Sequence, residues 1–114
     1  HGRNLMFLSY ALAFAISRKI RRIVIGSTLE DQELFSDCRP GFFKAFNRMA
    51  ILLGDIRVDA PLINMSKRSV FQVARELGID DGETWSCYFP TDAKGACGEC
   101  LACGVRNKAI AGLK

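Results

Sequence analysis

The stretch that decides the fold is Ile23-Val24-Ile25-Gly26, a short β-branched run that ends in glycine. β-Branched side chains fit a pleated, packed surface, and a continuous apolar run of this length is typical of a buried strand. The glycine predicts a turn into a loop. The acidic residues Glu30, Asp31 and Asp37 gather in that loop. A second strand is predicted around residues 56–61.

Helical spacing of apolar residues flanks both predicted strands. The first helix is predicted over residues 4–19, with Asn4 as the cap of its first turn. Because this helix is apolar on two opposite sides, we expect other elements to cover both. A second helix is predicted over residues 40–54, and a third begins after Ser66. A last helix is predicted over residues 105–113.

The alternation of helices and strands indicates an α/β fold, in which helices pack on the faces of a parallel sheet. Two strands alone make an incomplete sheet of this kind, because parallel strands are normally buried on both faces. We therefore expect the remaining strands to come from a missing N-terminal segment or from a partner chain. The chain also begins with His1, and we interpret it as a piece of something longer.

Four cysteines near the end of the chain have the spacing of a metal knuckle: Cys87, followed by Cys97, Cys100 and Cys103 in a CxxCxxC run. Such a run places three sulfurs around one tight turn, and the upstream cysteine can complete a tetrahedron. Zn²⁺ suits this site because it takes thiolates at about 2.3 Å without a preferred d-electron geometry. Four protein ligands leave no position for water, so we predict one structural zinc ion per chain.

Two other uses of these cysteines stay open. A disulfide framework needs an oxidising compartment, and the fifth cysteine, Cys38, would be left over. An iron–sulfur cluster also takes four thiolates, although the run lacks the CxxxCP continuation of the bacterial ferredoxins. Cys38 itself fits a small buried hydrophobe.

Composition restricts the classes of partner. The chain has 114 residues, 49% hydrophobic, with a formal net charge of +4. Its basic residues are scattered, and we interpret Arg106 and Lys108 among them as solvated surface charges, so we expect no direct binding of nucleic acid. The longest apolar region, residues 5–16, is shorter than the roughly 20 residues of a membrane-spanning helix. We therefore expect no membrane association and a reducing, cytoplasmic setting.

Five short segments carry a resemblance to a known family. They are Gly2-Arg3-Asn4, Asp37-Cys38-Arg39-Pro40, Met65-Ser66-Lys67, Thr84-Trp85-Ser86-Cys87-Tyr88 and the CGECLAC knuckle. In this order they resemble the 7-cyano-7-deazaguanine (preQ0) synthases of queuosine biosynthesis, which are PP-loop ATP pyrophosphatases. The family's SGGxDS phosphate loop is absent from this chain. The resemblance implies the C-terminal half of an adenine nucleotide alpha hydrolase-like (Rossmann-like) domain in residues 1–84, with the knuckle and last helix in residues 85–114.

The resemblance also implies a reaction. The carboxylate of 7-carboxy-7-deazaguanine is adenylated by ATP with Mg²⁺, ammonia displaces AMP to give an amide, and a second activation dehydrates the amide to the nitrile. Such a ligase mainly has to position its substrates and stabilise phosphate charge. The resemblance further implies a homodimer.

Candidate catalytic residues are Lys67, Arg39 and Asp37. The two cations would stabilise phosphate charge, and Asp37 would hold the deazaguanine amino edge or Mg²⁺. The candidate substrate-binding residues are Arg3, Asn4, Asp31, Trp85 and Tyr88. The loop after the first strand is a favourable place for a site because open α/β sheets bind ligands beyond the carboxyl ends of their strands. Each residue also has a structural interpretation, as a surface charge, a cap or an aromatic packed over the knuckle.

Two other functions stay open. Leu101 and the segment Phe89-Pro90-Thr91 depart from the family's pattern, which is compatible with a divergent relative that adenylates another acceptor. A zinc module that binds a partner without catalysis is the third hypothesis. The helix–strand alternation ahead of the knuckle argues against it.

Overall fold

A computed structural model describes residues 2–91 and 95–113. The chain divides into two compact units, His1–Asn64 and Met65–Lys114. The first unit contains α1 (Arg3–Arg18), β1 (Arg22–Val24), α2 (Asp31–Leu34), a 3₁₀ turn (Ser36–Cys38), α3 (Pro40–Gly54) and β2 (Arg57–Asp59). The second contains α4 (Lys67–Glu76), a 3₁₀ turn (Asp81–Glu83) and α5 (Leu101–Ile110). The division predicted between residues 84 and 85 concerns a longer fold and stays a prediction.

The two strands form a small parallel sheet, as the alternation of elements predicted. Ile23 lies opposite Val58, and both face the core side of the sheet. Strand β1 begins one residue before the predicted run, and β2 is shorter than the predicted range 56–61. The predicted mixed α/β architecture is therefore confirmed, while a complete Rossmann-like sheet remains a prediction.

Helices α1 and α3 pack on one face of this sheet. The buried residues of this core are apolar and recur at helical spacing on both helices: Leu8, Leu12, Ala15, Phe43, Phe46, Ala50, Ile56 and Val58. The observed α3 has the predicted bounds, with Pro40 in its first turn, where a missing N–H costs nothing. The opposite face of the sheet is open, since Val24 is 59% exposed.

Asn47 of α3 closes the free edge of β2. Its Nδ2 donates to the Val58 carbonyl at 2.8 Å, and its Oδ1 accepts from the Val58 N–H at 2.6 Å. The neighbours Arg57 and Asp59 use their backbone groups toward β1, so the groups of Val58 point to the other edge. The side-chain amide therefore occupies the place of a further strand on that side.

One side of α1 is buried and the other is exposed, contrary to the expectation that both are covered. Phe7, Tyr10 and Phe14 are 58%, 79% and 57% exposed. The prediction that Asn4 caps this helix is wrong. The N-cap is Gly2, and the N–H of Asn4 donates to Asp37 Oδ2 at 2.7 Å. A carboxylate from a later turn replaces the predicted local cap, because it reaches a free N–H of the first turn.

In the second unit, the caps decide where the helices begin. Ser66 caps α4 as predicted, since its Oγ accepts from the N–H of Ser69 at 3.1 Å. Helix α5 begins earlier than predicted because the sulfur of Cys100 caps it, accepting from the N–H of Cys103 at 3.4 Å. No helix in the described part of the chain has both the length and the apolar character that crossing a bilayer requires.

Candidate functional site

The four cysteines of the predicted knuckle come together in the second unit. Their Sγ atoms all lie within 4.8 Å of one another. The Sγ atoms of Cys87 and Cys97 are 3.5 Å apart, and those of Cys97 and Cys103 are 3.9 Å apart. Four thiolates at about 2.3 Å from one ion lie roughly 3.8 Å from one another. The sulfurs therefore have the spacing to hold a single metal ion in a tetrahedral site.

Backbone amides point at these sulfurs. Cys87 Sγ accepts from the N–H groups of Phe89 and Cys97, both at 3.3 Å. Cys97 Sγ accepts from the N–H of Cys100 at 3.4 Å. The turn between these two cysteines passes through Gly98 at φ 77°, a left-handed conformation that favours glycine. Such donors stabilise the thiolate, the form that binds metal.

The acidities of the thiols reflect these contacts. The hydrogen bond from the Cys97 backbone lowers the pKa of Cys87. The backbone of Tyr88, followed by that of Cys103, lowers the pKa of Cys100 to about 6. Burial raises the pKa of Cys103 to about 12. Four ionised sulfurs at this spacing need a cation beside them, and a divalent ion supplies that charge.

Trp85 and Tyr88 flank Cys87, and both side chains are exposed. The indole N–H of Trp85 donates to the Cys87 carbonyl at 2.8 Å, which ties the ring to the knuckle. Both residues are nevertheless more than half exposed to solvent, 59% for Trp85 and 58% for Tyr88. Packing over the knuckle and stacking on a flat ligand are both compatible with this placement.

A second group of predicted residues meets beyond the carboxyl end of β1. Asp37 is buried, and the side-chain amide of Asn4 donates to the Asp37 carbonyl at 3.3 Å and to Cys38 Sγ at 3.1 Å. Burial raises the pKa of Cys38, and the carboxylates of Asp31 and Asp37 raise it further. Asn4, Asp31 and Asp37 therefore surround one buried sulfur. We call these three residues, together with Cys38, Ser27 and Thr28, the loop cluster.

Ser27 and Thr28 belong to this cluster although no motif singled them out. Both are buried. The N–H and the hydroxyl of Thr28 donate to Asp31 Oδ2 at 2.8 and 2.9 Å, and a hydrogen bond from Ser27 opposes the rise in the pKa of Cys38. Their position directly after the glycine that ends the strand run was the available signal, because ligands bind at that end of a parallel strand.

The three predicted cations have different surroundings. Arg39 is exposed, and its Nε donates to the carbonyl of Gln32 at 3.0 Å. Arg3 is exposed at the first position of α1, next to Asn4 of the loop cluster. Lys67 is the first residue of α4, in the second unit. Arg3 and Arg39 are therefore sequence neighbours of residues in the loop cluster. The roles predicted for Arg3, Arg39 and Lys67 stay predictions.

Arg106 was misjudged from the sequence. It is partly buried, not a solvated surface charge, and its guanidinium donates to Thr84 Oγ1 at 2.6 Å. A single arginine four residues before the end of a helix matches no sequence motif. Its hydrogen-bond partners, Thr84 and Asp81, lie 22 and 25 residues away along the chain. Nothing in the sequence could have identified this contact.

Fold and site together define an α/β chain with parallel strands, a polar loop cluster beyond one strand, and a four-cysteine group that can hold a metal ion. The model of one family, described as queuosine biosynthesis protein QueC, matches residues 1–114. The chain belongs to this family. The resemblance drawn from the five sequence segments is thereby confirmed.

Curated relatives carry the name 7-cyano-7-deazaguanine synthase. The protein from Rickettsia bellii is 42% identical over 112 residues, which cover 96% of this chain and 50% of the relative. The protein from Rickettsia massiliae is 43% identical over 116 residues, covering 96% of this chain and 51% of the relative. The chain therefore spans about half the length of the curated relatives that it matches.

Proposed function

We propose that this chain is the C-terminal half of an ATP-dependent ligase that converts 7-carboxy-7-deazaguanine and ammonia to 7-cyano-7-deazaguanine in queuosine biosynthesis. The observation that carries the proposal is the family match over all 114 residues, together with relatives named as synthases of this product. The loop cluster supports it, because buried polar groups beyond the carboxyl end of a parallel strand are typical of a ligand site.

The loop cluster would bind and orient the deazaguanine. Asp37 is fixed by the N–H of Asn4, so its carboxylate is held at the start of α1. Asp31 is fixed in turn by Thr28. In this proposal Asp37 holds the amino edge of the base or a Mg²⁺ ion that accompanies ATP. A separate proposal concerns Trp85 and Tyr88, whose exposed aromatic rings can stack on a flat base.

The cations would act on the phosphates. Adenylation turns a carboxylate into a good acyl donor, and the charge that develops on the triphosphate needs fixed positive groups. We assign this role to Lys67 and Arg39, and we assign substrate binding to Arg3. Ammonia then displaces AMP, and a second activation of the amide oxygen leads to the nitrile.

The four-cysteine group would hold one structural Zn²⁺ per chain. Its four sulfurs fill a tetrahedron and leave no position for a reacting water. An iron–sulfur cluster spreads its cysteines over separate irons, so its sulfurs lie farther apart than those around one ion. All five cysteines are free thiols, in keeping with a reducing compartment, which we propose to be the cytoplasm.

The partner of this chain would be the N-terminal half that the curated relatives' length implies. Asn47 closes the edge of β2, whereas the edge of β1 pairs with no strand among the described residues. We therefore place the strands of the other half beside β1, with helices over the open face around Val24. The exposed apolar side of α1 would form the contact between two copies in a homodimer.

The test is AMP release by this chain joined to the N-terminal half that the proposal requires. Reactions contain ATP, Mg²⁺ and ammonia, with 7-carboxy-7-deazaguanine added or omitted, and the nitrile is detected as product. We expect AMP only with the deazaguanine. Lys67→Ala should abolish AMP release while the far-ultraviolet circular dichroism stays unchanged, and Lys44→Ala on α3 is the matched lysine control.

The outcomes separate the hypotheses. AMP formed equally with and without the deazaguanine would mean that the scaffold adenylates another acceptor. No AMP from a folded, metal-loaded protein would overturn the ligase proposal. Full turnover by the Lys67→Ala variant would show that Lys67 has no role in the chemistry.

A further inference from the structure

Arg106 lies on α5 three residues after Cys103, so the two side chains are neighbours on one face of the helix. Its guanidinium packs over the ring of Phe71 on α4, with 5.1 Å from Cζ to the ring centroid. Phe71 is the buried residue of α4. The plane of Arg106 is therefore held in one orientation between the two helices.

The two ends of this guanidinium fork hold the turn that precedes the knuckle. Nη1 donates to Thr84 Oγ1 at 2.6 Å, and Nη2 donates to the carbonyl of Asp81. The Thr84 hydroxyl donates in turn to the same Asp81 carbonyl at 2.9 Å. The guanidinium, the hydroxyl and the carbonyl are thus hydrogen-bonded to one another at the end of the 3₁₀ turn.

This contact has a consequence for the cysteines because Thr84 stands three residues before Cys87. Three residues of chain reach at most about 11 Å, so fixing Thr84 restricts the space in which the Cys87 sulfur can lie. Arg106 therefore joins the segment that carries Cys87 to the helix that carries Cys103. The connection uses no sulfur atom and no metal–ligand bond.

Cys87 is the ligand that most needs such help. Cys97, Cys100 and Cys103 lie in one CxxCxxC run, whereas Cys87 must be brought to them across an intervening loop. Closing that loop costs conformational entropy. If the loop is already closed in the metal-free chain, this entropy is lost on folding and does not weaken metal binding.

We propose that Arg106 is a positioning residue of the four-cysteine metal centre, which holds Cys87 within reach of the other three sulfurs in the metal-free chain. The inference rests on the proposed metal centre. It predicts that losing the Arg106 fork weakens metal binding by more than a general loss of stability does.

Arg68 provides the matched control. It also joins α4 to α5, since its Nη1 donates to the carbonyls of Ala111 at 2.7 Å and Ala109 at 3.5 Å. These carbonyls lie at the opposite end of α5 from the cysteines. An arginine that merely stabilises the packing of the two helices should behave like Arg68.

The experiment titrates the reduced, metal-free full chain with Co²⁺ and follows the visible absorption of tetrahedral cobalt thiolate. Zn²⁺ affinity is then measured by competition against Co²⁺ and against a chromophoric chelator. We expect Arg106→Gln to bind both ions about tenfold more weakly and to release them faster to the chelator. Arg68→Gln should bind within about twofold of the unaltered chain.

Thr84→Val is the second variant, in case Arg106→Gln does not fold. It removes one of the two acceptors of the fork and keeps the shape of the side chain, so we expect a smaller loss of affinity in the same direction. The double variant should bind no more weakly than Arg106→Gln alone, because both changes break one contact. Arg106→Lys should recover only part of the affinity, since an ammonium cannot hold both oxygens.

Equal losses in Arg106→Gln and Arg68→Gln would overturn the inference, as would unchanged affinity in Arg106→Gln and Thr84→Val. These results differ from failure of the metal centre itself. If the unaltered chain took up neither Co²⁺ nor Zn²⁺, the proposed centre would be wrong, and the role of Arg106 would fall with it.

Discussion

The four-cysteine group and the loop cluster are built in opposite ways. The cysteines come from one stretch of chain and are shaped by local turns whose N–H groups point at sulfur. The loop cluster is assembled from α1, the end of β1 and the turn before α3, and one of its hydrogen bonds joins residues 33 positions apart. A local site can be recognised by spacing, whereas a site of distant parts exists only once the fold does.

The largest expected effect comes from breaking the local site. Cys97→Ser removes one of four ligands, and we expect metal content to fall from one ion per chain to about none. Amide hydrogen exchange should show lost protection in α5 and retained protection in α1 and α3. Cys38→Ser, which changes the cysteine of the loop cluster, is the control and should leave metal content unchanged. Unchanged metal content in Cys97→Ser would contradict the tetrathiolate site.

The next effect tests how Asn47 stabilises the two-stranded sheet of the first unit. Asn47→Ala removes both hydrogen bonds to Val58 and leaves its backbone groups open at the edge of β2. We expect a loss of about 2 kcal/mol in unfolding free energy, measured by urea denaturation, and increased self-association through the exposed edge. Asn64→Ala changes an exposed asparagine of the same unit and is the control. Equal stability of the two variants would show that Asn47 does not hold the sheet.

A smaller effect is expected within the loop cluster itself. Asp37→Asn keeps the shape of the side chain but removes the negative charge at the N-terminus of α1, which costs about 1 kcal/mol. The free energy of unfolding of the first unit checks this. The control is Asp55→Asn, because the carboxylate of Asp55 is 80% exposed and lies 3.9 Å from Arg21. If both variants were equally stable, the contact between Asp37 and α1 would contribute nothing.

The smallest effect concerns acid stability in the second unit. The hydrogen bonds and charge of Arg75 hold the pKa of Asp81 below its ordinary value of 3.8. The folded state therefore gains stability above that ordinary value and loses it as the pH falls through the lower, folded pKa. We expect the stability difference between the unaltered chain and Asp81→Asn to shrink as the pH falls from about 6 to about 3. Because both chains contain the same cysteines, the titration of the cysteines does not contribute to this difference in unfolding free energy. A stability difference that did not change with pH would contradict the ion pair between Arg75 and Asp81.

Local patterns predicted much of this molecule. Proline and glycine marked both ends of α3, Ser66 marked the start of α4, and the cysteine spacing marked the four-cysteine group that can hold a metal ion. These features depend on residues within one or two turns of each other. The failures depend on distant partners: the carboxylate that reaches Asn4, and the turn that holds Arg106. Such pairings follow from the packing of whole elements, which spacing along the chain does not encode.

The sulfur of Cys100 belongs to two structures at once. It is one of the four clustered thiols, and it is also the group that caps α5 by accepting from the N–H of Cys103. The three-residue spacing between these cysteines therefore brings both thiols into the cluster and also places Cys100 at the N-cap position of α5. An inserted or deleted residue between them would shift the phase of α5 by about 100° as well as displace a ligand. This short interval should tolerate changes of side chain at Leu101 far better than any change of length.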